Sequence, residues 1–350
     1  MQLILIAISL IFLFYITALI CEDYFVPSID LIAKKLKMPS DVAGATLLAS
    51  GSSAPEFFAS FIAVFSLAGA SANVGAGTIV GSAVFNVLVI VGASAMFKAV
   101  TLNWKPVMRD LLFYVFTIIL LFFFFQDGRI TLIEASIFLG LYVVYIYATL
   151  MWKKWFKYED ATISETYLQS KRKQNPITFV VKKLLGVLIP DTNKKPKLYL
   201  LTFAMSIILI GVTSYLLVDL LMRAAGILDI NPTFLALTVL AVGTSIPDLV
   251  SSILVAKQGR GDMAVSNAIG SNIFNILFGL GLPWAIFMAF NGGSITVENA
   301  NLNASILLLI ATVIVIIFLL VIRNWRIGHR SGLILILLYV AFVIYEVSRL

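Results

Sequence analysis

This sequence implies an all-α membrane protein: ten transmembrane helices in two five-helix repeats of inverted topology, with helices 2 and 7 broken. Three observations carry that expectation. The 350 residues are 61% hydrophobic and 12% charged, with a mean hydropathy of +1.02, and apolar runs of about 18 residues or more read as membrane spans. The basic residues cluster in alternate loops. A nineteen-residue segment containing a proline followed by an acid occurs once in each half.

The spans are expected at 2–20, 42–66, 75–97, 109–126, 130–152, 198–222, 233–256, 262–289, 302–322 and 332–348. Span 1 has no basic stretch before it and no small-residue cleavage site ahead of Glu22-Asp23, so it is read as a helix and not a signal peptide. Segment 153–197 carries eleven basic residues with Pro176, Pro190 and Pro196, and separates a first repeat, 1–152, from a second, 198–350. Within it, Thr178–Ile189 is expected as a short amphipathic helix at the membrane surface. Five spans per half is an odd number, so the halves insert in opposite orientations.

One side of the membrane collects 22 of the 25 Lys and Arg residues, among them Lys34, Lys35, Lys37, Lys98, Lys105, Arg109, Lys257, Arg260, Arg323, Arg326 and Arg330. The other side has Arg129, Arg223 and Arg349. The positive-inside rule makes the rich side, with 153–197, cytoplasmic and puts both termini outside. A cytoplasmic (plasma) membrane is the expected location and the lipid bilayer the expected partner. A net charge of +7 spread in this way argues against nucleic acid. The single Cys21 excludes an intramolecular disulfide framework, and His329 stands in a loop with Arg326 and Arg330, so no imidazole or thiolate cluster is available. No cofactor is expected. Glu134, Asp219 and Glu346 lie near span ends and are expected to be solvated.

The repeat is explicit in two segments, 42–97 and 233–289. VAGATLLASGSSAPEFFAS (42–60) and FLALTVLAVGTSIPDLVSS (234–252) agree at seven of nineteen positions. VGAGTIVGSAVFNVLVIVG (74–92) and MAVSNAIGSNIFNILFGLG (263–281) agree at six of nineteen. The first pair places Glu56 and Asp248 inside apolar spans, and a charge at the bilayer centre costs at least about 2.5 kcal/mol, so such residues mark ion pathways. Pro55 and Pro247 each remove a backbone donor and break the helix nearby; Gly51 and Gly243 are expected as flexible points beside the breaks. The second pair sets Ser82 with Asn86 and Ser271 with Asn275, four apart on one helix face. Asn267 and Asn272 align with Thr78 and Ala83, so the first half lacks matching amides; Asn272 is expected to support the site.

Carbonyls freed near the breaks, at Ala49, Ser52, Ala241 and Thr244, need partners in lipid, and a cation supplies one. With the hydroxyls of Ser53 and Ser245 and the two carboxylates, they would form an all-oxygen cage of formal charge −2. Such a cage suits hard cations; Ca²⁺ takes about six to eight oxygens. One Ca²⁺ or two to three Na⁺ would fit, but not both loads, because like charges repel strongly in low dielectric. Mutually exclusive occupancy is the basis of antiport.

GSSAPE and GTSIPD, followed by GTIVGSAVFN and GSNIFN, resemble the two alpha repeats of the cation/calcium exchanger superfamily, the sodium/calcium exchangers. DVAGATLLASGSSAPE and KQGRGDMAVSNAIGSNIFN look most like its potassium-dependent branch. The resemblance covers about 40–100 and 230–285. It implies ten helices, an outside N-terminus, and alternating access with helices 1 and 6 sliding against the other eight. Carried over by motif, Glu56 and Asp248 would hold Ca²⁺ with the carbonyls of Ser52 and Thr244. Ala49, Ser53 and Ser271 would form one outlying Na⁺ site, Ala241, Ser245 and Ser82 its mirror, and Asn86 and Asn275 would line the middle. One position departs from the branch: potassium-dependent members carry an acid where Asn275 stands, so K⁺-independent exchange is expected. A proton/cation exchanger of the same superfamily, and K⁺-dependent exchange, are the alternatives. An enzyme is not expected, since the GxGD sequence at Gly259-Arg260-Gly261-Asp262 falls in a charged turn.

Overall fold

The computed structural model describes residues 2–36, 38–66, 72–97, 100–158, 176–192, 195–230, 232–257, 259–297 and 299–348. Lys37, Lys98, Lys171, Arg172, Lys173, Lys194 and Arg349, counted above for topology, lie outside the described residues, as does 159–175 of the basic segment. Nine helices among the described residues are long and apolar enough to cross a membrane: Gln2–Leu36, Ala72–Phe97, Trp104–Phe124, Leu132–Trp155, Pro196–Leu228, Pro232–Lys257, Gly261–Asn291, Leu302–Ile322 and His329–Val347. The tenth span is the pair Asp41–Ser52 and Ala54–Phe65, bent by 45°. In chain order they are spans 1 to 10, the bent pair being span 2.

Span 1 runs sixteen residues beyond its expected end at 20. A π-helical turn, Cys21–Phe25, precedes Pro27. Proline cannot bond the carbonyl four residues back and its ring crowds that carbonyl, so a widened turn absorbs it and the helix continues. Span 4 begins at Trp104, which moves Arg109 from the expected loop into a helix, where it is 1% exposed. Its guanidinium donates to Asp110 at 2.8 and 3.1 Å and to Asp41 at 3.4 Å. Tyr145 and Ser266 donate to the same Asp110 carboxylate at 3.1 and 2.9 Å. A buried charge is tolerated only when paired and hydrogen-bonded; here the pairing ties spans 2, 4, 5 and 8 together. Glu346, expected in solvent, is buried and accepts from Ser305 of span 9 at 2.8 Å.

The inverted repeat extends to backbone detail. π-helical turns recur at equivalent places, Gly44–Leu48 with Ala236–Leu240 and Asn86–Ile90 with Asn275–Leu280. Two glycines let the halves interlock: a Cβ at Gly81 would lie 2.1 Å from the Leu237 carbonyl, and one at Gly270 would lie 2.6 Å from the Ala45 carbonyl. Strands β1 (Val100–Thr101) and β4 (Arg326–Ile327) pair antiparallel, as do β2 (Arg129–Ile130) and β3 (Ile295–Thr296). The loop after span 3 is thereby clasped to the loop after span 9, and the loop after span 4 to the loop after span 8.

The main core is drawn from spans 3, 4, 5, 8, 9 and 10, with contributions from Ala45 and Leu237 of the broken spans. Span 3 is almost wholly buried, whereas only a minority of the apolar stretch of span 1 is. Spans 1 and 6 pack in separate clusters, one of which includes the short helix Pro176–Leu188. That helix buries Val181 and Leu185, leaves Leu184 and Val187 exposed on the adjoining part of the same apolar arc, and sets Lys182 and Lys183 across from them, so it is amphipathic as expected. Lys182 pairs with Asp23 of span 1 at 2.8 Å, and the Tyr15 and Thr178 hydroxyls meet at 2.6 Å.

Candidate functional site

The helix breaks fall one residue after the glycine-serine and glycine-threonine pairs, at Ser53 and Ser245. Their dihedrals are nearly the same, φ −88°, ψ 8° and φ −84°, ψ 2°, in the sparsely allowed bridge region. Before each break the ladder closes normally, Ser53 N–H to the Ala49 carbonyl at 3.1 Å and Ser245 N–H to the Ala241 carbonyl at 3.2 Å. It resumes with Phe57 N–H to Ser53 and Leu249 N–H to Ser245, at 3.1 and 3.0 Å. Between them Pro55 and Pro247 have no N–H to give. Among the described residues no backbone N–H crosses the break to the Ser52 or Thr244 carbonyl. Of the four expected carbonyls, two thus lack a backbone partner; those of Ala49 and Ala241 keep one and retain a second lone pair.

Gly51 and Gly243 serve a different purpose from the flexibility expected of them. Both sit inside short helical segments, Ala49–Ser52 and Ala241–Thr244. A Cβ at Gly51 would lie 2.2 Å from the Phe25 ring and 2.4 Å from Ile29, and one at Gly243 would lie 1.9 Å from the Phe14 ring. Span 1 therefore crosses both broken helices and presses an aromatic ring onto each bare glycine. Close approach, not a hinge, is what these glycines permit.

All twelve site residues inferred from sequence are fully buried: Ala49, Ser52, Ser53, Glu56, Ser82, Asn86, Ala241, Thr244, Ser245, Asp248, Ser271 and Asn275. The carboxylates are held crosswise between the halves. Ser245 Oγ donates to Glu56 Oε1 at 2.8 Å, and Ser53 Oγ donates to Asp248 Oδ2 at 3.3 Å. Asp248 also accepts from Asn86 Nδ2 and from Ser271 Oγ, each at 3.2 Å. Ser271 Oγ lies 3.4 Å from the Ala49 carbonyl, so Ala49, Ser53 and Ser271 converge beside Asp248. The mirror trio is looser. Ser82 Oγ turns back to the Ile79 carbonyl at 3.1 Å and receives Asn275 Nδ2 at 3.5 Å, with no direct bond to Ala241 or Ser245 among the described residues.

Three acceptors at this junction have no hydrogen-bond partner among the described residues: Glu56 Oε2, Asn86 Oδ1 and Asn275 Oδ1. Buried oxygens are normally satisfied, and orphaned ones call for an explanation. Oxygen acceptors left bare beside two buried carboxylates form a site that favours a hard cation over any anion or apolar ligand. Next to them lies a polar layer, Asn267 with Ser252 at 2.9 Å and with Ser52 at 3.4 Å. Sequence reasoning noted Asn267 and Asn272 as amides without counterparts, but it missed Tyr114, Phe14 and Phe25, which contact the site from other spans.

Residues 6–151 and 198–347 match the family described as sodium/calcium exchanger protein. Similar relatives include sodium/potassium/calcium exchanger 4 of Mus musculus, 28% identical over 96% of this chain and 80% of its own length. Sodium/potassium/calcium exchanger 2 of Gallus gallus is 29% identical, over 97% of this chain and 76% of its own length. Among solved structures, the sodium-calcium exchanger NCX_Mj soaked with Na⁺ and Sr²⁺ superposes with a TM-score of 0.64 at 23% identity, covering 97% of this chain and 98% of that one. That likeness is one of fold.

Proposed function

The chain belongs to the sodium/calcium exchanger protein family, and we propose that it is a secondary antiporter exchanging Na⁺ for Ca²⁺ at the junction of spans 2, 3, 7 and 8. One observation supports this above the rest: the junction holds two buried carboxylates, Glu56 and Asp248, together with oxygens that lack a hydrogen-bond partner among the described residues, Glu56 Oε2 itself, Asn86 Oδ1 and Asn275 Oδ1. Two ionised acids held out of water are costly until a cation compensates them. Glu56 and Asp248, with the Ser52 and Thr244 carbonyls, are the Ca²⁺ ligands of this reading. Ala49, Ser53 and Ser271 make one Na⁺ site, Ala241, Ser245 and Ser82 the other, and the two asparagines serve both loads. A cage of charge −2 is neutralised by one Ca²⁺ or overfilled by three Na⁺, so each load displaces the other.

Alternating access would come from spans 1 and 6 moving against the other eight; both lie outside the main core, in smaller clusters shared with spans 2, 3 and 7. Both termini are placed outside and 153–197 in the cytoplasm by the basic-residue asymmetry. Exchange is independent of K⁺ in this reading, because Asn275 contributes a neutral oxygen where a carboxylate would compensate a further cation. The names of the relatives, sodium/potassium/calcium exchangers, favour the opposite. Proteoliposomes loaded with Na⁺ and diluted into Na⁺-free buffer with radiolabelled Ca²⁺ decide between them. Uptake that requires the Na⁺ gradient and ignores added K⁺ is expected. Stimulation by K⁺ would transfer the site to the second reading, and uptake driven by a pH gradient alone would remove Na⁺ from the cycle.

A further inference from the structure

Asn86 and Asn275 occupy equivalent positions in the repeat, yet only one of them has its amide fixed. Asn272 Nδ2 donates to the Ala83 carbonyl at 3.1 Å and to the Tyr114 hydroxyl at 2.9 Å. A carbonyl can only accept, so the Asn272 amide cannot turn over without setting oxygen against oxygen. With its two N–H groups committed, Asn272 offers Oδ1 to Asn86 Nδ2 at 2.9 Å. The other Asn86 N–H goes to Asp248 Oδ2 at 3.2 Å. All four amide N–H groups of the pair are used, and the amide atom left over is Asn86 Oδ1, buried and without a partner among the described residues. The orientation follows from which atoms can donate, independent of how the two amide ends are assigned.

In the other half the residue equivalent to Asn272 is Ala83, which has no amide to give. Asn275 Nδ2 has only the Ser82 hydroxyl, at 3.5 Å, among the described residues. A hydroxyl both donates and accepts, so it fixes neither orientation.

We propose that Asn272, braced by the Ala83 carbonyl and by Tyr114 of span 4, is a positioning residue that holds the Asn86 amide with its oxygen toward the ion, leaving Asn275 as the adjustable ligand. The proposal deepens the exchange reading and rests on it. Asn272 touches no ion; it acts by removing the orientation in which Asn86 would present N–H groups to a cation.

The test is equilibrium titration of the purified full chain with Ca²⁺ and with Na⁺, which reads the site without requiring turnover. Asn272→Leu is expected to weaken binding by roughly 10-fold, in the range seen when outer partners of metal ligands are removed. Tyr114→Phe, which keeps the Ala83 brace, is expected to weaken it by about 3-fold, the worth of one net hydrogen bond. Both effects should vanish when Asn86 is already Ala: Asn86→Ala with Asn272→Leu should bind no more weakly than Asn86→Ala alone. Losses that multiply across the pair would overturn the proposal, since Asn272 would then act by some route other than Asn86. Should Asn272→Leu fail to fold, Tyr114→Phe with and without Asn86→Ala reads the same coupling. A wild-type chain that binds neither cation would sink the exchange reading and this inference with it, whereas normal wild-type binding with multiplicative losses sinks this inference alone.

Discussion

Glu56 and Asp248 stand at equivalent positions of one repeat, on breaks whose dihedrals agree within 6°, and their surroundings are nonetheless unequal. Asp248 receives hydrogen bonds from Ser53, Asn86 and Ser271. Glu56 accepts from Ser245 on Oε1 and keeps Oε2 without a partner among the described residues. The second half also supplies Asn267 and Asn272 where the first has Thr78 and Ala83. A duplicated backbone can therefore carry a site with one pre-tied acid and one open acid. The symmetry lies in the main chain, and the chemical difference lies in a few side chains packed behind it.

Four pairs of substitutions probe that inequality. The largest effect is expected from Glu56→Gln and Asp248→Asn. Each should reduce Na⁺-driven Ca²⁺ uptake about 100-fold or more, because an uncompensated buried charge costs about 3–5 kcal/mol; retained uptake in either would show that one acid suffices. Next come the glycines. Gly243→Ala drives a methyl into the Phe14 ring, and Gly51→Ala drives one into Phe25 and Ile29. Each should cost about 1–3 kcal/mol of stability by overpacking, read as a lowered Tm. Phe14→Ala should relieve the first and leave the second untouched.

Asn275→Asp should make Ca²⁺ uptake respond to K⁺. Asn86→Asp should only lower uptake, since a carboxylate there would face Asp248 and the Asn272 oxygen. Equal behaviour of the two would erase the distinction between the halves. The smallest difference is expected between Ser245→Ala and Ser53→Ala. Each removes a bond worth about 1 kcal/mol, and the shorter 2.8 Å contact to Glu56 should matter more in the Na⁺ dependence than the 3.3 Å contact to Asp248.

Much of this arrangement was legible in the sequence because its signals are local. Apolar runs mark spans, Pro55 and Pro247 mark breaks, and Ser and Asn four apart mark a helix face. Span 1 was read too short because two acids, Glu22 and Asp23, and then Pro27 resemble a helix end, while a π-helical turn carries the helix through. Arg109 was read as a loop cation because its partner Asp41 lies 68 residues away. The same holds for Asn272 with Tyr114, 158 residues apart, and for Phe14 against Gly243. Pairings at such separations leave no periodicity to read, and a bare glycine looks the same whether it hinges or is pressed upon.

The two clasps bear on the order in which the molecule can be completed. Val100 finds its strand partner at Ile327, and Arg129 at Thr296. During synthesis the loops after spans 3 and 4 must therefore wait, unpaired, while about half of the chain or more is made and inserted. The first repeat enters the bilayer with its edge groups open, and the last two hairpins close both sides of the molecule at the end. The clasped loops border spans 3, 4, 5, 8, 9 and 10, so this late sealing ties six helices and leaves the two broken spans, like spans 1 and 6, unsewn.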